Sequence, residues 1–203
     1  IKYRIDRFPD GEVQFVLTEE IDRKEEYNVE CRITNAEQLF ILIQVGDILD
    51  RQGIVWFLYI HYLMGMRMDR VMSFERPFTL KIVGKMISQM GYEKCYVDTA
   101  HSIRTMLEIR ECVSLEVNPY KFLIEVVNEP DIEIVYPDHG ALERCQGDKS
   151  DELYFEKERD IETGRIKSFI FKDVENVVNG KCFMFYDDLC DAGGTFLGEL
   201  EIL

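Results

Sequence analysis

The residues with the clearest chemical potential lie in one segment near the end of the chain, Phe183–Thr195. Its apolar start predicts a buried strand, and Asp187 and Asp188 follow at the carboxyl end of that strand. A short loop containing Gly193–Gly194 then leads into a predicted helix that opens with Thr195. Glycines allow successive backbone N–H groups to surround a phosphate at a helix start, and a hydroxyl adds a donor. The two carboxylates lie where sugar hydroxyls or Mg²⁺ would bind, so the segment indicates a sugar phosphate site more than an ordinary glycine-rich turn.

Three other polar groups follow strand-like apolar runs. They are Arg67–Arg70 after Ile54–Ile60, His101 after Cys95–Asp98, and Asp138 after Ile132–Tyr136. Parallel α/β sheets bind ligands at the carboxyl ends of their strands, so chemistry is expected at these positions. Taken singly, each is also typical of plain surface: a solvated basic loop, a polar histidine or an acidic turn.

Two further segments are ambiguous by composition alone. Glu156–Asp160 is a run of charged residues, which is usually a solvated surface. Its position between Asp138 and Asp187 favours a catalytic role instead. Arg7–Glu12 contains Pro-Asp-Gly, which is typical of a hairpin turn.

Taken in chain order, these segments resemble the motifs of the ribose-phosphate diphosphokinases (phosphoribosyl diphosphate synthetases). Asp187–Thr195 is similar to the phosphoribosyl diphosphate loop that this family shares with the type I phosphoribosyltransferases, and the loop alone does not separate the two groups. The other matches favour the synthetases. Arg7–Glu12 resembles R-F-x-D-G-E, Ile60–Arg70 resembles P-Y-x-x-Y-x-R-Q-D-K, Asp98–Ser102 resembles D-L-H-S/A, Pro137–Arg144 resembles P-D-x-G-x-x-x-R, and Glu156–Asp160 resembles the K-x-R segment.

The resemblance implies a role for each matching residue. Lys157 and Arg159 would close over the β,γ-phosphates of ATP as part of a mobile loop. The residues implied in ATP binding are Phe8, Asp10, Glu12, Arg67, Met68 and Asp69. Those implied in ribose phosphate binding are Asp187, Asp188, Asp191, Ala192, Gly193, Gly194 and Thr195. Mg²⁺ would be held near His101 and Asp138.

The implied reaction transfers the β,γ-diphosphoryl group of ATP to the anomeric hydroxyl of ribose 5-phosphate and releases AMP. The protein would then contribute mainly alignment and neutralisation of charge on the transferred group. In the family the Phe8 element projects into the ATP site of a neighbouring subunit, so the resemblance also implies a homodimer or a higher homo-oligomer.

The chain departs from the family pattern at several positions. Met68 replaces Gln, Gly65 replaces Tyr, one residue is inserted between Asp98 and His101, and Ala192 replaces a Thr of the phosphate loop. Loss of that hydroxyl, with the changes at Gly65 and Met68, favours a larger substrate such as ADP-ribose, in which the 5-phosphate is already esterified. Two other classes stay open: a phosphoribosyltransferase, and an inactive homologue that regulates a true synthetase.

Strands and helices alternate along the chain, which predicts an α/β fold with a mainly parallel sheet. The pattern starts twice, so we expect two consecutive units over residues 1–116 and 117–203. The resemblance implies that both are type I phosphoribosyltransferase-like, with a sheet flanked by helices in each. The first would serve ATP and the second the ribose phosphate. Within this pattern Asn35 is a predicted N-cap of a helix over Ala36–Arg51, and Ile54–Ile60 is predicted to be covered on both faces.

Composition excludes several functional classes. With 24 basic and 39 acidic residues the net charge is −15, which disfavours binding to nucleic acid phosphates. The sequence lacks an apolar stretch of the ~18 residues that a membrane span needs, so no membrane partner is expected. The six cysteines form no C-x-x-C pair. We therefore predict reduced, structural thiols, including a buried Cys182, in a cytoplasmic protein.

Overall fold

The computed structural model describes residues 1–116, 132–144, 153–159, 166–171, 182–190 and 192–201. The chain divides into two compact units, Ile1–Leu115 and Glu116–Leu203. The helix predicted over Tyr120–Asn128, together with Cys145 and Asp191, lies outside the described residues. No helix in the described part of the chain is long and apolar enough to cross a membrane.

The first unit combines a hairpin with a parallel sheet. Its elements are β1 (Tyr3–Arg7), β2 (Val13–Leu17), β3 (Tyr27–Ile33), α1 (Ala36–Gln52), β4 (Trp56–Leu63), α2 (Thr79–Ser88), β5 (Cys95–Asp98), α3 (Arg104–Glu108) and β6 (Cys112–Leu115). Strands β1 and β2 pair antiparallel, and the sheet has the order β3-β4-β5-β6 with all pairs parallel.

Helix α1 shows how local signals set an element of this unit. The Asn35 side chain accepts a hydrogen bond from the Gln38 N–H at 3.0 Å, which satisfies one of the free donors of the first turn. The helix ends where Gly53 takes the left-handed conformation at φ 68°. Its apolar side chains pack with those of α2 on buried residues of β4 and β5, and this packing forms the core of the unit.

The helices cover one face of the first sheet. Trp56, Leu58 and Ile60 are buried in that core, whereas Tyr59 is half-buried and His61 is exposed. Because side chains alternate along a strand, the three buried side chains lie on one face of β4, and Tyr59 and His61 lie on the other. Among the described residues, the prediction that this strand is covered on both faces is therefore not confirmed.

The second unit carries helices α4 and α5 with a mixed sheet. Its described elements are β7 (Ile132–Tyr136), α4 (His139–Arg144), β8 (Leu153–Arg159), β9 (Ile166–Phe171), β10 (Cys182–Phe185) and α5 (Gly194–Leu200). The sheet order is β10-β7-β8-β9, with two parallel pairs and an antiparallel β8–β9 pair. Two small apolar clusters form on this sheet, one including Ala141 and Leu142 of α4 and the other rich in phenylalanine. The two units together confirm the predicted α/β class.

Two local predictions for the second unit are wrong. Glu156–Arg159 was expected in a mobile loop, but it continues β8 and pairs with β9. The β-sheet register satisfies its backbone groups, and alternation then decides which charged side chain turns inward. Cys182 was expected to be a buried thiol, but it begins β10 as an exposed residue. The five cysteines in the described ranges all have free thiols.

Candidate functional site

The acidic residues of the second unit meet because their strands are neighbours. β7 and β10 pair in parallel, with Val135 opposite Phe185. Asp138 follows β7, and Asp187 and Asp188 follow β10. Parallel strands end at the same edge of a sheet, so the three carboxylates are carried to one side of the unit.

The Asp138 carboxylate both caps helix α4 and binds the side chain of Lys157. Its Oδ1 accepts a hydrogen bond from the Ala141 N–H at 2.9 Å, which caps α4, and its Oδ2 lies 2.9 Å from Lys157 Nζ. Gly140 permits this approach, since a Cβ there would lie 3.2 Å from Asp138 Oδ1. Burial acts to raise the pKa of Asp138, but the bonds from Lys157 and Ala141 and the charges of Lys157 and Arg144 outweigh it and lower the pKa.

Lys157 is turned into the protein by its strand. Phe155 and Leu153, two and four residues earlier on β8, are buried, while Glu156 and Glu158 are exposed. Period-two alternation therefore places Lys157 on the inner face, where only 7% of its side chain is exposed. Such a buried ammonium needs a counter-charge, and Asp138 provides it.

Arg144 binds the acidic pair Asp187 and Asp188. Its Nη2 lies 2.7 Å from Asp187 Oδ1 and also contacts Asp188 Oδ1, and all three side chains are largely buried. Asp187 Oδ1 further accepts the Asp188 backbone N–H at 2.9 Å. Burial, followed by the neighbouring Asp188 carboxylate, raises the pKa of Asp187 to about 7. Asp187 thus holds a proton more readily than an ordinary carboxyl group does.

The loop after the acidic pair turns at a glycine. Gly193 has φ 72° and its carbonyl accepts a hydrogen bond from the Leu197 N–H at 2.9 Å at the start of α5. A Cβ at either Gly193 or Gly194 would meet no atom within 4 Å. Ala192 is exposed and Thr195 is half-buried. The loop surface is therefore formed by backbone and small side chains.

In the first unit, the loops after β4 and β5 meet in the same way. Asp69 is 6% exposed, and its carboxylate accepts hydrogen bonds from Ser102 Oγ at 2.8 Å and from Arg70 Nε at 3.1 Å. Burial acts to raise its pKa, but the Ser102 bond and the charges of Arg70 and His101 outweigh it and lower the pKa. Asp69 and His101 are therefore brought together.

The other predicted ATP-binding residues lie on the surface of the first unit. Arg67 is exposed, as is Met68, whose sulfur lies 3.4 Å from the Thr79 hydroxyl. Phe8, Asp10 and Glu12 are exposed at the turn of the β1–β2 hairpin.

The turn between Asp98 and His101, which contains the inserted residue, has an unusual backbone conformation. Thr99 has φ 40°, a left-handed conformation that costs a residue with a side chain about 1–2 kcal/mol. The Thr99 N–H donates to the Leu115 carbonyl at 3.0 Å, and the Ala100 N–H donates to Ser114 Oγ at 2.9 Å. These bonds from β6 hold the turn, so the insertion does not displace β5.

Sequence reasoning overlooked several contacts at these sites. Arg144 was recognised only as part of a motif, and its spacing of six residues from Asp138 was the available signal. His61 Nδ1 lies 2.7 Å from Asp98 Oδ2, a pairing between adjacent strands that no local pattern indicates. Glu199, on α5, is fully buried, and its one visible signal was an acidic residue within an apolar helix.

The structure brings predicted site residues together in two sets. Lys157, Asp138, Asp187 and Asp188 come together in the second unit, while Asp69 and His101 come together in the first. Arg159 belongs to β8, and its side chain lies outside the described part of the chain. Within that part no cluster of three or more His, Cys, Asp or Glu residues could hold a metal ion alone.

The fold is that of a known solved structure. A phosphoribosylpyrophosphate synthetase from Mycobacterium smegmatis matches 98% of this chain and 67% of its own, with a TM-score of 0.75 and 16% sequence identity. At that identity the match defines the class of fold alone. No protein-family model matches the sequence.

Sequence relatives of this chain share one enzyme name. A ribose-phosphate pyrophosphokinase from Pyrococcus abyssi is 29% identical over 210 residues, which cover all of this chain and 71% of that protein. Relatives of the same name from Xylella fastidiosa and Saccharolobus solfataricus are each 28% identical and are covered over 62% and 48% of their lengths. These relatives confirm the predicted resemblance to the ribose-phosphate diphosphokinases, a family of transferases.

Proposed function

We propose that the protein transfers the β,γ-diphosphoryl group of ATP to the anomeric hydroxyl of a ribose 5-phosphate. The observation that carries the proposal is the ion pair between buried Lys157 and half-buried Asp138 in the second unit. In this pair the lysine of the K-x-R segment binds a carboxylate at the end of a strand. Asp138 in turn begins the helix whose last residue, Arg144, holds the acidic pair before the glycine loop.

The proposed step needs little covalent chemistry from the protein. The anomeric oxygen attacks the β-phosphorus, the bond from that phosphorus to the oxygen bridging to the α-phosphate breaks, and AMP leaves with the electron pair. The hydroxyl proton passes to solvent. Lys157 would neutralise charge on the transferred group, while Asp187 and Asp188 would position the sugar hydroxyls.

The glycine loop is proposed to hold the 5-phosphate through its backbone. Gly193 and Gly194 leave space for an oxyanion near their N–H groups, and Thr195 adds a hydroxyl. Asp191 is proposed to act in ribose phosphate binding, and Arg159 is proposed to act with Lys157 on the β,γ-phosphates of ATP, as the motif match implies.

The donor chemistry of the acidic site fits Mg²⁺. This ion prefers oxygen ligands and usually binds through one or two carboxylates together with substrate phosphates, so it requires no complete protein cage. Asp138 would hold it here once Lys157 moves away, and His101, a nitrogen donor, is the less suited of the two predicted ligands. When bound, Mg²⁺ would offset the negative charge of the substrate phosphates.

We propose that ATP binds at the first unit through Arg67, Met68 and Asp69, with the hairpin turn as a second element. The exposure of Phe8 at 48% supports a role in contact with a ligand or with a second copy of the chain. Light scattering tests the homo-oligomer, because a Phe8→Asp variant should lower the molar mass. An unchanged mass would contradict the assignment of this turn to the contact.

One assay tests the reaction. The protein is mixed with Mg²⁺, ATP and ribose 5-phosphate, and AMP is measured. Lys157→Ala should abolish most AMP formation, and Lys81→Ala, at an exposed lysine on α2, should not. Diphosphate release with a nucleobase and phosphoribosyl diphosphate would indicate the transferase class instead. Absence of nucleotide turnover with every sugar phosphate would indicate a regulatory homologue.

A larger ribose ester is the second candidate substrate. The exposed Ala192 supports it, because the phosphate loop lacks one hydroxyl donor and presents only a methyl group there. AMP formation with ADP-ribose but not with ribose 5-phosphate would establish this alternative. The reverse result would exclude it.

A further inference from the structure

Glu199 is a buried acid for which the proposed reaction has no use. It lies near the end of α5, it has no solvent exposure, and neither of its carboxyl oxygens has a hydrogen-bond partner among the described residues. Burying an ionisable group without a partner costs several kcal/mol, whereas an apolar residue of similar size would cost nothing there. The free-energy cost of burying the Glu199 carboxyl group therefore indicates a role beyond packing.

The charged groups around Glu199 are those of the candidate site. Its carboxyl group interacts electrostatically with Lys157, Asp138 and Asp187. Both aspartates among these already have partners: Asp138 binds Lys157, and Asp187 binds Arg144. Glu199 is therefore an unused carboxyl group beside a buried ammonium that has one counter-charge.

The proposed function requires that counter-charge to be released. If Asp138 binds Mg²⁺ or a sugar hydroxyl, it cannot keep its close contact with Lys157. The lysine side chain is 7% exposed, and until it meets the transferred group it needs another carboxylate, because an uncompensated buried charge strongly destabilises a protein.

We propose that Glu199 is the second counter-charge for Lys157, which receives the ammonium group when a ligand engages Asp138. Glu199 is thus a positioning residue, since it acts on the reaction only through the lysine. In the free protein Lys157 remains with Asp138, and Glu199 stays protonated. When the lysine moves, Glu199 loses its proton to solvent and becomes the partner carboxylate.

A stability cycle tests this without any substrate. Urea unfolding of the second unit is measured for Asp138→Asn, Glu199→Gln and the double variant at pH 7. Asp138→Asn should retain much of its stability, because Lys157 turns to Glu199, and Glu199→Gln alone should lose none. In the double variant the Lys157 ammonium has no counter-charge. The factor by which its unfolding constant rises should therefore exceed the product of the two single-variant factors by roughly tenfold or more. Additive effects would overturn the proposal.

A third substitution keeps the test decisive if the double variant does not fold. Adding Lys157→Met removes the ammonium that has no counter-charge, so the protein should fold again. The effects of Asp138→Asn and Glu199→Gln on the free energy of unfolding should then become additive. Failure to recover would overturn the proposal. Glu201→Gln, at an exposed position beside α5, is the matched control and should show no coupling with Asp138→Asn.

This proposal rests on the proposed function only for the identity of the ligand that engages Asp138. A binding measurement distinguishes failure of this proposal from failure of the proposed function. Titration calorimetry with ribose 5-phosphate and Mg²⁺ should show weaker binding to Glu199→Gln than to the unmodified protein, by about fivefold or more, on the scale of measured coupling energies. Equal affinities would contradict the transfer of the lysine. Failure of the unmodified protein to bind either probe would contradict the proposed function, while the stability cycle would still decide the role of Glu199.

Discussion

The buried acid Glu199 makes the stability of the second unit depend on pH. Burial, partly offset by Lys157 and reinforced by Asp138 and Asp187, raises its pKa from 4.5 to about 8. Between these two values the unfolded chain has lost the proton that the folded chain still holds. Stability attributable to this group is therefore greatest below the unfolded pKa, falls as pH rises, and levels off above the folded pKa.

The magnitude follows from the size of the shift. One proton changes the free energy of unfolding by at most about 1.4 kcal/mol per pH unit. Between pH 5 and pH 7 Glu199 should therefore remove roughly 2.5 kcal/mol of stability. Glutamine resembles the protonated acid but does not titrate. Glu199→Gln should thus gain stability relative to the unmodified protein by this amount over the same interval.

A second titrating group does not obscure the comparison. Asp187, whose pKa is raised to about 7, adds its own loss of stability as pH rises from about 4 to 7. Both proteins carry Asp187, so subtracting one pH profile from the other removes the titration of Asp187 itself and leaves that of Glu199 together with its interaction with Asp187.

The assay must distinguish the two units. Hydrogen exchange of amides in β7 and β10, measured through a urea series from pH 5 to pH 9, reports on the second unit. The single tryptophan, Trp56, is buried in the first unit, and its fluorescence should give the same pH profile in both proteins. Glu201→Gln should follow the unmodified protein. Parallel profiles for Glu199→Gln and the unmodified protein would refute the reasoning.

Three other predictions concern single residues. Lys157→Ala should lower kcat on the order of 10²–10³-fold and change the Kd for the sugar phosphate much less, which steady-state kinetics and calorimetry check; equal losses would contradict its role in charge neutralisation. Asn35→Ala should destabilise the first unit by about 1 kcal/mol through loss of the helix cap, as measured by Trp56 fluorescence in urea, and an unchanged midpoint would refute the cap assignment. Gly193→Ala should destabilise the second unit by about 1 kcal/mol because its φ is 72°, whereas Gly194→Ala should not, and equal exchange protection in the two variants would contradict this reasoning.

Much of the secondary structure could be predicted because its signals are local. The predicted bounds of Cys95–Asp98 and Ile132–Tyr136 agree with the strands observed. The N-cap at Asn35 and the αL glycine after α1 act over only a few residues, so they are visible without a tertiary structure.

Elements with weak local signals were missed. Strand β1 was not predicted: it is short, its side chains are largely exposed, and it is held by antiparallel pairing with β2. Helix α3 has five residues and no capping side chain. Such elements depend on neighbours that the local pattern does not contain.

By itself the sequence determined which residues end the strands and which family motifs they match. The tertiary structure alone decided their electrostatics. Strand alternation turned Lys157 inward from a segment whose composition indicates solvent, and β-sheet order carried Asp138 and Asp187 to one edge. Burial of Glu199 depends on packing between residues far apart in the chain, and a carboxyl group's pKa depends on that packing and not on its sequence neighbours.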